Sequence, residues 1–326
     1  MRAPDFWGAR PGLCAWALSP IAAIYGVLAR ARLAGPAPRA SLPTVAIGGL
    51  TLGGDGKTPT ALALALILMA QGERPVFLTR GYGRSPAGEK TPFLVEPAQH
   101  SAVDVGDEAL LLARVAPTVV GADRVASAQF ARSLGASVLL LDDGLHSRRL
   151  EPDLAILVVD ADYGAGNGFC PPAGPLPAPL EAQISRADVV ILIGDGSAFA
   201  APPGKIVLNG RLTPDRDVAA RLAGKRVFAF AGIGRPAKFV KTLGEIGAEA
   251  VGCRWFTDHH AYSRKELATL AEEAHRLRAA LVTTQKDSLR IGESNAAETL
   301  PVTLILEPAG DLEIILASAL ARRVPG

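Results

Sequence analysis

The chain has 326 residues, long enough for two domains with full hydrophobic cores. Lys plus Arg total 34 against 32 for Asp plus Glu, and this net charge of +2 excludes wholesale electrostatic binding of nucleic acid. Hydrophobic residues are 49% and charged ones 20%, which excludes a disordered chain, and Cys14, Cys170 and Cys253 stand too far apart for a zinc ribbon or disulfide framework. Residues 11–29 carry no charge and are bracketed by Arg10 and Arg30. That length is borderline for a membrane span, and Ser19 and Pro20 interrupt it. A secretory signal fits poorly, because Asp5 sits in its front end and a nucleotide motif follows soon after. On a helix, Leu13, Trp16, Ile24, Val27 and Leu28 form a bulky side, while Ala15, Ala22, Ala23 and Gly26 lie mostly elsewhere. The expectation is an amphipathic helix at the surface of an anionic leaflet; a helix buried on the main domain and a span are the alternatives.

Next come short, continuously apolar runs at 44–48, 75–79, 118–120, 138–141, 154–159 and 189–193. They read as parallel strands covered on both faces. Helical patterns at 58–70, 108–114 and 124–134 separate them. This alternation predicts a doubly wound, mostly parallel α/β sheet. Residues 171–180, PPAGPLPAPL, can only be a loop. The expected domain plan is a surface helix region at 1–40, the nucleotide domain at 41–204, a linker at 205–224, a second, smaller α/β domain at 225–308 and a terminal helix at 309–326. Within the second domain, strands are expected at 226–231, 250–256, 280–284 and 301–306, and helices at 238–246 and 265–278.

Residues 44–60 read TVAIGGLTLGGDGKTPT. An apolar strand enters a glycine loop and leaves as an Ala/Leu-rich helix, which is the context a phosphate-binding loop requires. Glycine lets backbone amides turn inward around phosphate oxygens, and the helix N-terminus adds its positive end. Thr51, Gly53, Gly54, Asp55, Gly56, Lys57 and Thr58 are therefore the candidate nucleotide contacts, with Lys57 reaching the terminal phosphates. Thr51 stands where the standard P-loop has its first glycine, so the loop is closer to the GGxGKT variant. A second strand ends in Asp142 and Asp143, the expected magnesium-side carboxylates, with Thr58 as the third oxygen donor. The pair of motifs implies Mg2+ with ATP or another nucleotide.

The chain also resembles the tetraacyldisaccharide 4′-kinase family of the lipid A pathway. The shared tags run in order: PDFW at 4–7, IGGLTLGGDGKTP at 47–59, TRGYGR at 79–84, VGDEA at 105–109, GADR at 121–124, LLDDGLHSRRL at 140–150, PPAGPL at 171–176, AGIGRP at 231–236, FTDHHAYS at 256–263 and TTQKD at 283–287. The resemblance implies ATP-dependent transfer to the 4′-hydroxyl of an acylated glucosamine disaccharide 1-phosphate. It also implies peripheral attachment at the cytoplasmic face of the bacterial inner membrane through the N-terminal helix; a monomer is expected. It makes Asp107 and His259 a catalytic pair beside Lys57, Asp107 being the candidate base or a metal neighbour. From the residues alone, Asp107 could simply cap a helix, and His260 is an adjacent rival to His259. His146 is expected to orient the loop after Asp143. Arg80, Tyr82 and Arg84 suit a substrate phosphate and a sugar face. After PAGPL the family continues Arg-Glu-Pro, but this chain has Pro177, Ala178 and Pro179, so either Glu181 substitutes from a shifted register or the chain manages without that group.

Two other readings compete. A nucleotide switch of the GGxGKT type often carries an extra lysine before the glycines, and here that place is Leu52. A kinase of a soluble metabolite would have no need of the N-terminal helix.

Overall fold

The computed structural model describes residues 4–84, 91–292, 297–307 and 310–321. After a single 3-10 turn, α1 (Leu13–Ala34) leads into the first α/β unit. That unit contains β1 (Thr44–Gly49), α2 (Lys57–Ala70), β2 (Pro75–Thr79), β3 (Phe93–Leu94), α3 (Ala102–Val105), α4 (Asp107–Ala113), β4 (Thr118–Val120), α5 (Arg124–Ser133), β5 (Val138–Leu141), β6 (Leu154–Asp160), α6 (Leu180–Arg186) and β7 (Val189–Ile193). Then follow β8 (Ile206–Pro214), α7 (Arg216–Leu222), β9 (Arg226–Ala231), α8 (Pro236–Glu245), β10 (Glu249–Trp255), α9 (Arg264–Arg276), β11 (Ala280–Thr284), α10 (Gln285–Ile291), β12 (Glu298–Leu300), β13 (Val302–Glu307) and α11 (Asp311–Ala321).

The large sheet has nine strands in the order β13-β8-β7-β6-β1-β5-β2-β4-β3. Its central strands are parallel; β3 and β13 close the two edges antiparallel. Every residue of β1, β2, β5 and β6 is buried, which is why those runs are apolar without alternation. α2 and α11 cover one face through Leu64, Leu68, Leu312 and Leu316, and α5 covers the other through Ala128 and Ala131. The chain departs from β1 to β2 on one side and later continues from β6 on the other. The loop after β1 therefore opens at the point where the strand order reverses, the usual ligand crevice of such sheets.

The four-stranded sheet, β10-β9-β11-β12, is entirely parallel and has its own core around Val227, Ala229, Phe239, Leu243 and Val282. Two expectations about domain limits need correction. Residues 205–224 are not a linker: β8 pairs parallel with β7 and extends the large sheet, and α7 packs into the second core through Val218 and Leu222. The strand expected at 301–306 does not belong to the second unit either. β13 returns to pair with β8, and α11 then seals the core over α2. The physical reason is edge pairing: β8 would otherwise leave one edge of the large sheet open, and β13, from near the chain's end, takes that edge antiparallel. The expected terminal helix beyond 321 lies outside the described residues.

α1 turns its small residues inward and its bulk outward. Ala15, Ala22, Gly26, Ala29 and Leu33 are buried, whereas Leu13, Trp16, Ile21, Ile24, Val27 and Leu28 are exposed. By length and composition alone the helix could also cross a membrane.

Candidate active site

Gly53, Gly54 and Gly56 take φ of 93°, 81° and 95°, a left-handed region that a side chain would strain. The loop then feeds directly into α2. Among the described residues, the amides of Gly54, Asp55, Gly56, Lys57 and Thr58 donate to no acceptor in the chain. The last three are the orphan donors of a helix start, and with the two loop amides before them and the dipole they make an anion cradle. The side chains of Thr51 and Asp55, both expected among the nucleotide contacts, bond one another, while the Asp55 amide remains in the cradle. Asp55 accepts from the Thr51 amide and hydroxyl, each at 2.7 Å. Both residues brace the loop from within, because a glycine-rich turn lets Asp55 reach back four residues.

Lys57 Nζ lies 3.1 Å from Asp143 Oδ1. Burial works against its charge, but Asp143, Glu108 and Asp55 outweigh it and hold the ammonium firmly protonated. Asp142 is buried, and its carboxyl is pushed up to about 7 by burial, with Glu108 and Asp143 adding to the effect. A nearby divalent cation would return such a group to its ionised form. Thr58, Asp142 and Asp143 are hard oxygen donors and fit magnesium in type. No group of three His, Cys, Asp or Glu side chains close enough to hold a metal unaided occurs among the described residues. A cation there would complete its coordination with phosphate oxygens and water, as magnesium commonly does.

Asp107 opens α4 after Gly106, whose φ is 89°. The N-cap position is Gly106, so Asp107 is the first residue of the helix and not its cap. It is buried and faces the second unit, where Oδ1 lies 3.1 Å from His259 Nδ1. Its Oδ2 accepts from Arg290 Nε at 2.8 Å and from Arg290 Nη2. Burial alone would raise the Asp107 pKa, but the His259 hydrogen bond and the Arg290 charge hold it well below the usual carboxylate range. The same hydrogen bond raises the His259 pKa against burial. His260 points away: it bonds Glu266 at 3.0 Å and stacks on Phe256. Of the two adjacent histidines, the geometry therefore brings His259 to Asp107.

Several groups here had no role assigned from sequence. Arg290 is anchored by Asp287 at 2.7 Å and by the Gly232 carbonyl at 2.6 Å. Asp287 is fully buried and also accepts from Tyr262, Thr284 and the Gly232 amide. Lys286 pairs with Glu108, the residue after Asp107. The TTQKD tag was visible, but no spacing in the sequence connects position 290 with position 107; only the packing of α10 on α4 does.

The 79–84 loop leans on residues 105 and 106, so closely that a Cβ on Gly106 would lie 2.5 Å from the Tyr82 carbonyl. Tyr82 thereby comes within 5.1 Å of the His259 ring, centroid to centroid. Arg80 is accompanied by Arg124 and Arg149, which sequence reasoning left without a function. Arg124 is buried and pushed down to about 10 by burial and by Arg80, while Asp142 counteracts. Among the described residues, Arg124 Nη1 and Arg84 Nη1 are buried without a hydrogen-bond partner. His146 is held at 2.7 Å from Gln183, beside the Asp143 loop. Glu181 does not take the place of the missing glutamate. It is exposed and pairs with Arg30 of α1 at 2.9 Å, while Ala178 packs under Ala29 and Leu33.

An open parallel sheet, a glycine loop with unsatisfied amides at its switch point, and an adjacent pair of strand-end aspartates define a P-loop nucleotide-binding protein. Comparison with known proteins narrows this. Residues 14–321 match the family described as tetraacyldisaccharide-1-P 4′-kinase, LpxK. A tetraacyldisaccharide 4′-kinase of Methylobacterium sp. (strain 4-46) is 49% identical, over 100% of this chain and 99% of the relative. One of Azorhizobium caulinodans is 45% identical, over 98% of each. A crystal structure of LpxK from Aquifex aeolicus in complex with ATP superposes with a TM-score of 0.72 at 24% identity, covering 94% of this chain and 100% of that one. The chain belongs to the tetraacyldisaccharide-1-P 4′-kinase family.

Proposed function

We propose that this chain carries out its family's reaction, ATP-dependent phosphorylation of the 4′-hydroxyl of tetraacyldisaccharide 1-phosphate in lipid A synthesis, through the 53–58 loop and the pair Asp107 and His259. The observation that carries the reading is their convergence: free loop amides and Lys57 from one unit, and a buried carboxylate joined to a histidine of the other.

A sugar hydroxyl must lose its proton as phosphorus is attacked. Asp107, kept ionised, and His259, tuned by it, receive that proton as a unit. Lys57 is within reach of the terminal phosphates and offsets charge as it shifts in the transition state. Thr58, Asp142 and Asp143 would hold magnesium, which when bound neutralises phosphate charge. Lys286 and Arg290 arrive with the second unit and keep Glu108 and Asp107 from repelling the nucleotide. Arg80, Arg84 and Arg124, with Tyr82 beside them, suit the acceptor's own phosphate and sugar face, since among the described residues Nη1 of Arg84 and Nη1 of Arg124 are buried without a hydrogen-bond partner.

The outward face of α1, flanked by Arg10, Arg30 and Arg32, supports peripheral attachment to the cytoplasmic face of the inner membrane. Changing Ile24 and Val27 together to glutamate is expected to weaken cosedimentation with anionic phospholipid vesicles by about tenfold or more. Unchanged partitioning would remove the helix from that role.

The function itself is tested by offering purified protein labelled ATP, magnesium and the acylated disaccharide 1-phosphate in detergent. Label on the acceptor's 4′-oxygen supports the reading. Transfer to a soluble sugar with equal kcat/KM would favour the soluble-metabolite kinase, and hydrolysis without any acceptor product would favour a nucleotide switch.

A further inference from the structure

The phosphate-binding loop carries a carboxylate of its own. Asp55 stands between Gly54 and Gly56 with its side chain fully buried. Asp160, at the end of β6, adds a second carboxylate that is only 2% exposed. A loop that receives a polyphosphate is thus bordered by two negative groups away from water, where like charges repel most strongly.

The compensating charge comes from the other unit. Arg235, at the start of α8, donates from Nη2 to Asp55 Oδ1 at 3.0 Å and also to the Thr51 hydroxyl. Its Nη1 donates to Asp160 Oδ2 at 2.6 Å. Lys238 Nζ stands 2.7 Å from the same oxygen. The guanidinium lies over Tyr163, with Cζ 3.6 Å from the ring centroid, which fixes the plane of its fork. Its stem crosses Gly54 so closely that a Cβ there would lie 2.7 Å from Arg235 Cγ. Burial raises the Asp55 pKa, and Arg235 leads the groups that oppose it.

We infer that Arg235 is a positioning residue for ATP: by pairing with Asp55 and Asp160 together it cancels the carboxylate charge beside the 53–58 loop and fixes the loop's shape, so that nucleotide affinity depends on the docked second unit. The inference rests on the reading of that loop as the triphosphate site. Arg235 acts through Asp55 and Thr51, not by touching the reacting atoms. Removing it leaves a buried charge uncompensated, which is where most of the cost of breaking such pairs arises.

The test is calorimetric titration of the full chain with a non-hydrolysable ATP analogue and magnesium, beside labelled-phosphate transfer. Arg235→Ala is expected to weaken binding about 10- to 100-fold, with kcat at saturating ATP within about threefold of the parent. Asp55→Asn added to Arg235→Ala is expected to restore binding to within about threefold, because the unpaired charge at position 55 is gone and Lys238 still faces Asp160 at 2.7 Å. A purely structural loss would not be rescued by deleting a carboxylate. Should Arg235→Ala not fold, Arg235→Gln keeps the stem over Gly54 and is read in the same way. Parent-like binding by the single variant, or no recovery in the double variant, overturns the inference. Lys57→Ala separates the two levels. If it binds as tightly as the parent, the loop reading fails and takes this inference with it; if Lys57→Ala loses binding while Arg235→Ala does not, only the role of Arg235 falls.

Discussion

Replacing Asp107 by asparagine is expected to lower kcat by roughly 10²- to 10⁴-fold, the range of a positioned proton acceptor. The shape is kept and the charge is lost. His259 then has no anion at 3.1 Å, and Arg290 has lost its partner on Oδ2. KM for ATP should change by less than about threefold, because the loss belongs to the transition state. Since Asp107 and His259 work as one unit, His259→Gln on top of Asp107→Asn should cost little more than Asp107→Asn alone. Steady-state kinetics of the two single variants and the double variant decide this. Fully additive losses would mean that the two residues act separately, and a change confined to KM would reduce Asp107 to a structural anchor between α4 and α10.

Lys57→Ala is the second large effect. The ammonium lies 3.1 Å from Asp143 and is also held by the charges of Glu108 and Asp55, so its removal takes away the cation aimed at the phosphates and leaves Asp143 without its partner. A fall of about 10² or more in kcat is expected. Lys57→Arg should not restore the rate, because a planar fork cannot replace a point charge at the end of a flexible stem. Circular dichroism of both variants should match the parent, since Lys57 contributes nothing to either hydrophobic core. A Lys57→Ala enzyme turning over at a near-parent rate would contradict the placement of the triphosphate.

What was legible in the sequence was what is local. β1, the glycine loop and α2 are contiguous, so strand, loop and helix could be read from one stretch of residues. The bulky side of α1 also followed from helical spacing, and Trp16, Ile24, Val27 and Leu28 do lie exposed. The pair Asp107 and His259 was reached only through the family resemblance, because nothing in the spacing of positions 107 and 259 brings them together. Arg235 and Arg290 escaped notice for the same reason. Each meets its partner across the seam between the two units, and a seam is a property of the folded chain. β13 misled for a related reason: its apolar run fits either sheet, and only the unpaired edge of β8 decides which. Thr51 and Asp55 could have been caught. They stand four residues apart around a glycine turn, a spacing at which a short carboxylate can bond a preceding amide.

The backbone amides of residues 54–58 are the proposed grip on the triphosphate. Crystals grown with a non-hydrolysable ATP analogue and magnesium test it most directly. Phosphate oxygens are expected within hydrogen-bond distance of those amides, with Lys57 on the terminal phosphates and the cation on Thr58 and Asp142. A nucleotide bound elsewhere, with those amides engaged by the chain itself, would contradict it.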